Sequence, residues 1–251
     1  MLNIIACYKW VIDEAYIRKT PSGGLDFSTV DYKIGEYDRN AIEEAVRLRE
    51  AHGGKVTALT AGVPESSKGV KDALSRGCDE ACFAADASFR DLEPSQTVAI
   101  LGNAIRSKLQ FDLIICGEGS SDLYAQQVGP RLADSLGIPG ISFVQKLEIK
   151  DGKIIAERKA EDVTEIVEAP LPALVTVLPE INTPRIPGVR DTLMASRKTV
   201  INVGLEELGP PAGVKLRVTG MAAAGMERNC VKFGSDAAGI KEFVNALRKS
   251  I

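Results

Sequence analysis

The stretch from Phe111 to Leu136, FDLIICGEGSSDLYAQQVGPRLADSL, constrains the fold more than any other part of the chain. Leu113, Ile114, Ile115 and Cys116 form a continuous apolar run, as suits a parallel strand covered on both faces. Gly117, Glu118, Gly119, Ser120, Ser121 and Asp122 follow as turn chemistry. Val128, Leu132, Ala133 and Leu136 then recur at helical spacing until Gly137 and Pro139 stop the helix. Strand, glycine loop and helix in that order put free main-chain N–H groups and the positive end of a helix dipole at the carboxyl end of a parallel strand. Open α/β sheets bind ligands there, and a phosphate is the natural guest. The loop has neither the Gly-Lys-Ser/Thr of a Walker loop nor the third glycine of a dinucleotide fingerprint. The bare pattern therefore leaves two readings open, an anion cradle or a tight turn that needs glycine for positive φ.

The rest of the chain supplies repeated strand-helix units. Leu2 to Cys7 reads as the first strand, and Tyr8, Lys9 and Trp10 follow at another carboxyl end able to line a crevice. Pro21 to Gly24 reads as a loop, with a polar segment running on to Glu36. A helix is predicted from Asp38 as N-cap, with Ile42, Ala45, Val46 and Arg49 near one face and Gly53-Gly54 as its end. A strand over Lys55 to Ala61, a helix from about Ser66 to Arg76, a strand near Glu80 to Ala84 and a helix over Ser95 to Leu109 complete the pattern. Such alternation implies a doubly wound, mostly parallel sheet. Beyond Pro139 the texture changes. Gln145 to Lys150 and Lys153 to Lys159 alternate about Asp151-Gly152, a strong hairpin signal. A strand before Pro170 and a buried one over Ala173 to Leu178 follow. Pro179 to Asp191 reads as a stiff exposed loop, Gly204 to Gly213 as a linker, and Ala237 to Lys249 as an amphipathic helix presenting Ile240, Phe243, Val244 and Leu247.

Several chemistries are disfavoured by what the chain carries. His52 is the one histidine of 251 residues, and it falls at a helix end, so histidine-dependent nucleophilic catalysis and histidine metal sites are not expected. Cys7, Cys78, Cys82, Cys116 and Cys230 are odd in number and scattered, which argues against a disulfide scaffold and for a reducing compartment; Cys78 and Cys82 have no second ligand pair and read as structural thiols. A formal charge of −3 with 5% aromatics and dispersed cations gives no nucleic-acid footprint. The terminus MLNIIACYKWV has neither a signal-peptide core nor a membrane span, so a cytoplasmic protein without membrane insertion is expected.

Taken together, IIACYKWVIDEA, YDRNAIEEAVRL, the glycine stretch and PEINTPRIP resemble the small (beta) subunit of an electron-transfer flavoprotein over nearly the whole chain. The likeness is nearest to the Fix-type subset, associated with carnitine metabolism and nitrogen fixation, through CG-x-GSSDLYAQQVG. The resemblance implies an adenine-nucleotide-binding, Rossmann-like fold with an added hairpin. It divides the chain into a nucleotide-binding domain over 1–203 and a C-terminal arm over 204–251 that contacts the alpha subunit. It also implies that the alpha subunit carries the redox-active FAD while this chain buries AMP. The implied nucleotide contacts are Ala6, Tyr37, Asp38, Gly117, Gly119, Ser120, Asp122, Gln126, Gln127, Val128 and Gly129. For Asp122, a plain helix N-cap is the other reading, and the two are compatible.

Bifurcating relatives hold a second FAD at that place with Asp-Gly-Asp-Thr-Ala-Gln-Val-Gly. Here Tyr124 and Ala125 replace the second Asp and the Thr, which favours AMP, although Tyr37-Asp38 and Gln127-Val128-Gly129-Pro130 match the bifurcating pattern. Residues 184–194 resemble the family's recognition loop, with Val189 as the anchor flanked by Pro187 and Arg190. The implied role is that of a non-enzymatic electron carrier between an acyl-CoA dehydrogenase type donor and a quinone oxidoreductase type acceptor. Rival readings are an ATP-using enzyme and a nucleotide sensor. The first would need a basic residue on the phosphates, and none stands in the loop sequence.

Overall fold

The computed structural model of the chain describes residues 1–22, 24–209, 213, 216, 218–221, 223 and 230–250. Its strands are β1 (Leu2–Cys7), β2 (Trp10–Ile12), β3 (Arg18–Lys19), β4 (Leu25–Asp26), β5 (Tyr32–Ile34), β6 (Gly54–Gly62), β7 (Glu80–Ala85), β8 (Leu113–Gly117), β9 (Gly140–Lys150), β10 (Lys153–Lys159), β11 (Thr164–Pro170), β12 (Ala173–Val177) and β13 (Thr199–Val203). Its helices are α1 (Glu36–His52), α2 (Ser67–Ser75), α3 (Pro94–Lys108), α4 (Val128–Leu136), α5 (Val189–Ala195), α6 (Leu205–Leu208) and α7 (Ala237–Ser250). Contacts divide the chain into one unit of Met1–Ile17 with Phe27–Val218 and a smaller one of Arg18–Asp26 with Thr219–Ile251.

The larger unit is built on a nine-stranded sheet in the order β11-β10-β9-β12-β8-β1-β6-β7-β13. From β12 to β13 every neighbouring pair is parallel, as the strand-helix alternation implied. The chain steps outward from β1 to β6 and β7, then returns past β1 to lay β8 on its other side. That reversal makes the carboxyl ends of β1 and β8 the switch point, the crevice position at which such sheets take ligands. Each face is covered because the strands alternate. Ile4 and Ala6 of β1 join Ile42, Val46, Val70 and Leu74 of α1 and α2 on one side. Ile5 and Cys7 join Leu101, Ile105 and Leu132 of α3 and α4 on the other.

The predicted hairpin forms, with Asp151 at φ 51 and Gly152 at φ 73, the positive pair that a two-residue turn between twisted strands requires. Strand β9 runs parallel to β12 in its first half and antiparallel to β10 in its second.

Several expectations need correction. Helix α1 starts at Glu36 with Gly35 as N-cap, so Asp38 lies inside the first turn. The polar segment before it contains β4 and β5. Val189–Ala195 is helical where a loop was expected, because Gly188 and Asp191 form a cap after the last proline. The expected linker contains α6, whose Leu208 is buried, and β13 extends the sheet beside β7. The C-terminal part of that linker, residues 210–212, lies outside the described residues. In the smaller unit, β3 pairs with β4 and α7 leaves Ile240, Phe243, Val244 and Leu247 exposed, while Phe243 meets Phe233 edge-on at 5.6 Å. Among the described residues, no helix is long and apolar enough to cross a membrane.

Helix α4 begins hard against β12: a Cβ on Gly129 would fall 2.3 Å from Thr176 Cγ2. Gly129→Ala should therefore destabilise the fold by about 1–3 kcal/mol, as overpacking does. Thr176→Ser removes that methyl but keeps the hydroxyl that accepts from Phe143 N–H at 3.2 Å. Denaturant titration should show the double variant more stable than Gly129→Ala alone; no recovery would exclude this clash as the cause.

Candidate functional site

The crevice is shaped by one buried carboxylate. Asp38, in the first turn of α1, reaches over the end of β1, where Lys9 N–H donates to its Oδ2 at 2.8 Å. Gly117, at the end of β8, lies directly against the same carboxylate, and its main chain favours the ionised form. Lys9 is held from its other side as well, because its carbonyl accepts from Gly35 N–H at 3.1 Å. The three elements are packed so closely that a Cβ on Gly117 would lie 2.7 Å from Asp38 Oδ1 and 2.8 Å from Tyr37 Cβ. Glycine at 117 is a steric requirement. Burial raises the Asp38 carboxyl from 3.8 to about 7, although the Lys9 N–H bond and the Lys9 charge oppose it; the charge of Asp122 adds to the rise.

From Gly117 the loop runs to α4 by a path that two non-glycine residues hold at positive φ, Tyr124 at 45° and Gln126 at 56°. Tyr124 folds back over Gly119, where a Cβ would come within 2.8 Å of its ring. The Tyr124 ring stands 5.5 Å from that of Tyr37, tilted by 41°. Its hydroxyl donates to buried Glu118 at 2.8 Å, and this bond, with some desolvation, pushes the phenol up to about 12. Across the mouth, Lys9 Nζ meets Asp122 Oδ2 at 2.6 Å. Burial works to raise the Asp122 carboxyl, but the Lys9 ammonium outweighs it and holds the group below its usual range.

These contacts bring Tyr37, Asp38, Gly117, Gly119, Asp122 and Gln126 together, with Ser120 between Gly119 and Asp122; Gln127 and Val128 stand at the start of α4, where Val128 packs against the core. Gly129 is turned instead into the contact with Thr176, and Ala6 has its side chain in the core. Asp122 does not cap α4; Gln127 does so by position, and its side chain makes no capping bond. The main-chain donors at the start of α4 are therefore without a side-chain acceptor.

Lys9 was not assigned to the site from the sequence, and Glu118 and Ser121 were read only as members of its loop. Lys9, just beyond β1, brings an ammonium onto Asp122 of the loop, whose own sequence holds no basic residue. Glu118 is the acceptor for Tyr124. Ser121 carries a buried hydroxyl oxygen with no hydrogen-bond partner. A phosphate-bearing nucleotide suits this set, since the cradle offers main-chain donors, a spare hydroxyl and a cation over two glycines.

The electron transfer flavoprotein domain model matches residues 23–208, well over half of the 251 residues and inclusive of the crevice loop. The chain belongs to the electron transfer flavoprotein family. Proteins of this family are electron carriers, and membership brings an involvement with flavin.

In this family member the segment after β12 is fastened to α1. Asn40 Nδ2 donates to Pro179 O at 3.1 Å and Asn182 O at 2.8 Å, and Asn182 Nδ2 donates back to Asn40 O at 3.0 Å. Arg185 pairs with Glu43 at 2.8 Å and Glu50 at 2.9 Å. Beyond that clamp Pro187 is half-buried, and Val189 and Arg190 are exposed in the first turn of α5. Val189 is 80% exposed, with Ile186 and Leu193 also uncovered nearby in sequence. The cysteines Cys7, Cys78, Cys82 and Cys116 are buried and free. Burial pushes the thiols of Cys78 and Cys82 up to about 12 and about 11.

The raised Asp38 carboxyl sets a pH signature. The folded protein keeps this proton up to about pH 7, while an unfolded chain releases it near pH 4. The stability contributed is full at low pH and is lost as pH rises through that window, by on the order of a few kcal/mol. Asp38→Asn should flatten this part of the profile. Urea unfolding at intervals from pH 4 to 8 would read the slope, and parallel profiles for the two proteins would refute the assignment.

Proposed function

We propose that this chain is the beta subunit of a heterodimeric electron transfer flavoprotein of the Fix type. In this reading it holds AMP in the β1/β8 crevice and works in the cytoplasm. FAD is held by, or shared with, the alpha subunit. Electrons reach that flavin from an acyl-CoA dehydrogenase type donor and leave to a quinone oxidoreductase type acceptor. The flavin performs the redox step; the protein's task is to bind, orient and dock.

The observation that carries the reading is the crevice itself. A glycine loop at the switch point, an uncapped helix start and the orphaned Ser121 hydroxyl surround a place suited to a phosphate. Family membership favours an electron carrier over the ATP-using alternative. Residues 204–251 serve as the arm toward the alpha subunit, a role supported by the apolar face of α7. Val189 is the dehydrogenase anchor: an exposed valine on a helix turn, beyond a segment clamped to α1, is pre-organised to bury apolar surface at little entropic cost.

Co-production with the alpha subunit, denaturation and chromatography of the released cofactors tests the assignment. One FAD and one AMP per heterodimer is the expected result. Two FAD without AMP would instead identify a bifurcating complex in which Tyr124 and Ala125 admit the second flavin, and no nucleotide beyond the alpha-subunit FAD would remove the crevice reading altogether. Val189→Ala should lower the rate of electron transfer from the dehydrogenase by about tenfold, the loss of a buried anchor contact. Its bound nucleotide should be unchanged. Unaltered transfer would disprove the docking role.

A further inference from the structure

Lys9 combines a rigid base with a weakly committed head group. Its main chain is pinned on both sides, the N–H to Asp38 and the carbonyl to Gly35. Its ammonium, by contrast, is held by Asp122 at 2.6 Å, with side chains 43% and 34% exposed. Ion pairs this wet add little to stability, so the fold has small need of the contact. What the pair does is place a cation over the loop while keeping it neutralised. The charged groups facing it are Asp122 and Asp38, both anionic when ionised, with Glu118 already taken by Tyr124. A phosphate approaching the loop donors meets repulsion from these carboxylates unless Lys9 answers it.

We infer that Lys9 is the phosphate counter-ion of the crevice, paired with Asp122 and handed to the ligand on binding. The freed Asp122 carboxylate then accepts from a ribose hydroxyl, and the ligand's phosphate also supplies the missing partner for the buried Ser121 hydroxyl. One ion pair is exchanged for another, so the swap costs little and its net gain is the charge-assisted bond to a dianion. This assignment rests on the nucleotide reading of the crevice and adds a prediction to it: preference for nucleotide over nucleoside resides largely in Lys9.

Equilibrium dialysis of the full-length chain, freed of endogenous nucleotide, against AMP and against adenosine measures that preference. Lys9→Met should weaken AMP by about tenfold to a hundredfold, the worth of a charged hydrogen bond, and leave adenosine unchanged. Lys9→Arg should keep most of the preference, which separates a charge effect from misfolding. Asp122→Asn, which removes both the competing partner of Lys9 and a repelling carboxylate, should raise the AMP-to-adenosine ratio, and a lowered ratio would overturn the exchange. An unchanged ratio in Lys9→Met would overturn the role of Lys9 and leave the nucleotide site standing; failure of the unsubstituted chain to bind either compound would remove both.

Discussion

The Asp38 carboxylate is the contact on which the geometry of the crevice depends. Where β1 ends, its pairing with β8 ends too, and the main chain beyond it needs another acceptor. Asp38 takes the Lys9 N–H and packs against Gly117 at the end of β8. The buried acid lowers its own cost by holding a proton near neutrality. From this follow the need for glycine at 117, the closeness of Tyr37 to the loop and the fixed position of the Lys9 main chain. The site is thus a consequence of how two strand ends and one helix start satisfy each other.

The same helix organises a second region. Beyond Asp38, α1 presents Asn40, Glu43 and Glu44, and later Glu50, to the segment after β12. The reciprocal Asn40–Asn182 bonds resemble a short piece of sheet pairing made by side chains, and they fix irregular backbone that no strand can hold. Arg185 adds a fork gripping carboxylates two turns apart on α1. The result is a stiff lead into α5, with its apolar residues outward. Helix α1 is therefore a common frame for the crevice and for the exposed docking segment, built from residues whose side chains leave its core-facing stripe free to pack on the sheet.

Much of this was legible because it is local. The apolar runs of β1 and β8, the stripes of α3 and α4, and Asp151-Gly152 each carry their signal within a few residues. What escaped depends on distant partners. Asp38 reads as an N-cap because Asp commonly caps helices; its actual partners are the ends of β1 and β8, one before and one far after it in sequence. Lys9 could be placed at a strand end, but its meeting with Asp122 depends on β1 lying beside β8, which only the topology decides. Strand β13 is a short edge element whose partner β7 lies far back in the chain. Helix α5 did leave a trace, Gly188 with Asp191 three residues on, but the prolines before it dominated the reading. Ser121 left none: a buried, unpartnered hydroxyl is a property of the folded loop alone.

The crevice acids share a further property. Asp38 is committed to main-chain donors, Glu118 to the Tyr124 hydroxyl and Asp122 to Lys9. Asp38 and Glu118 are engaged in holding geometry and Asp122 is paired with an ammonium, so none stands ready to move a proton on a substrate. That suits an electron carrier, whose task is to keep cofactors at defined distances and whose chemistry resides in the cofactor. It also means that changes in protonation here act on shape before they act on reactivity. Ionising Asp38 strengthens its hold on Lys9 and Gly117 but exposes the crevice to one more buried negative charge, whereas protonating it relaxes the hold and removes the charge. A carboxyl raised to about 7 sits between these demands, with a site that is neither fully clamped nor fully repulsive to an anion near neutral pH.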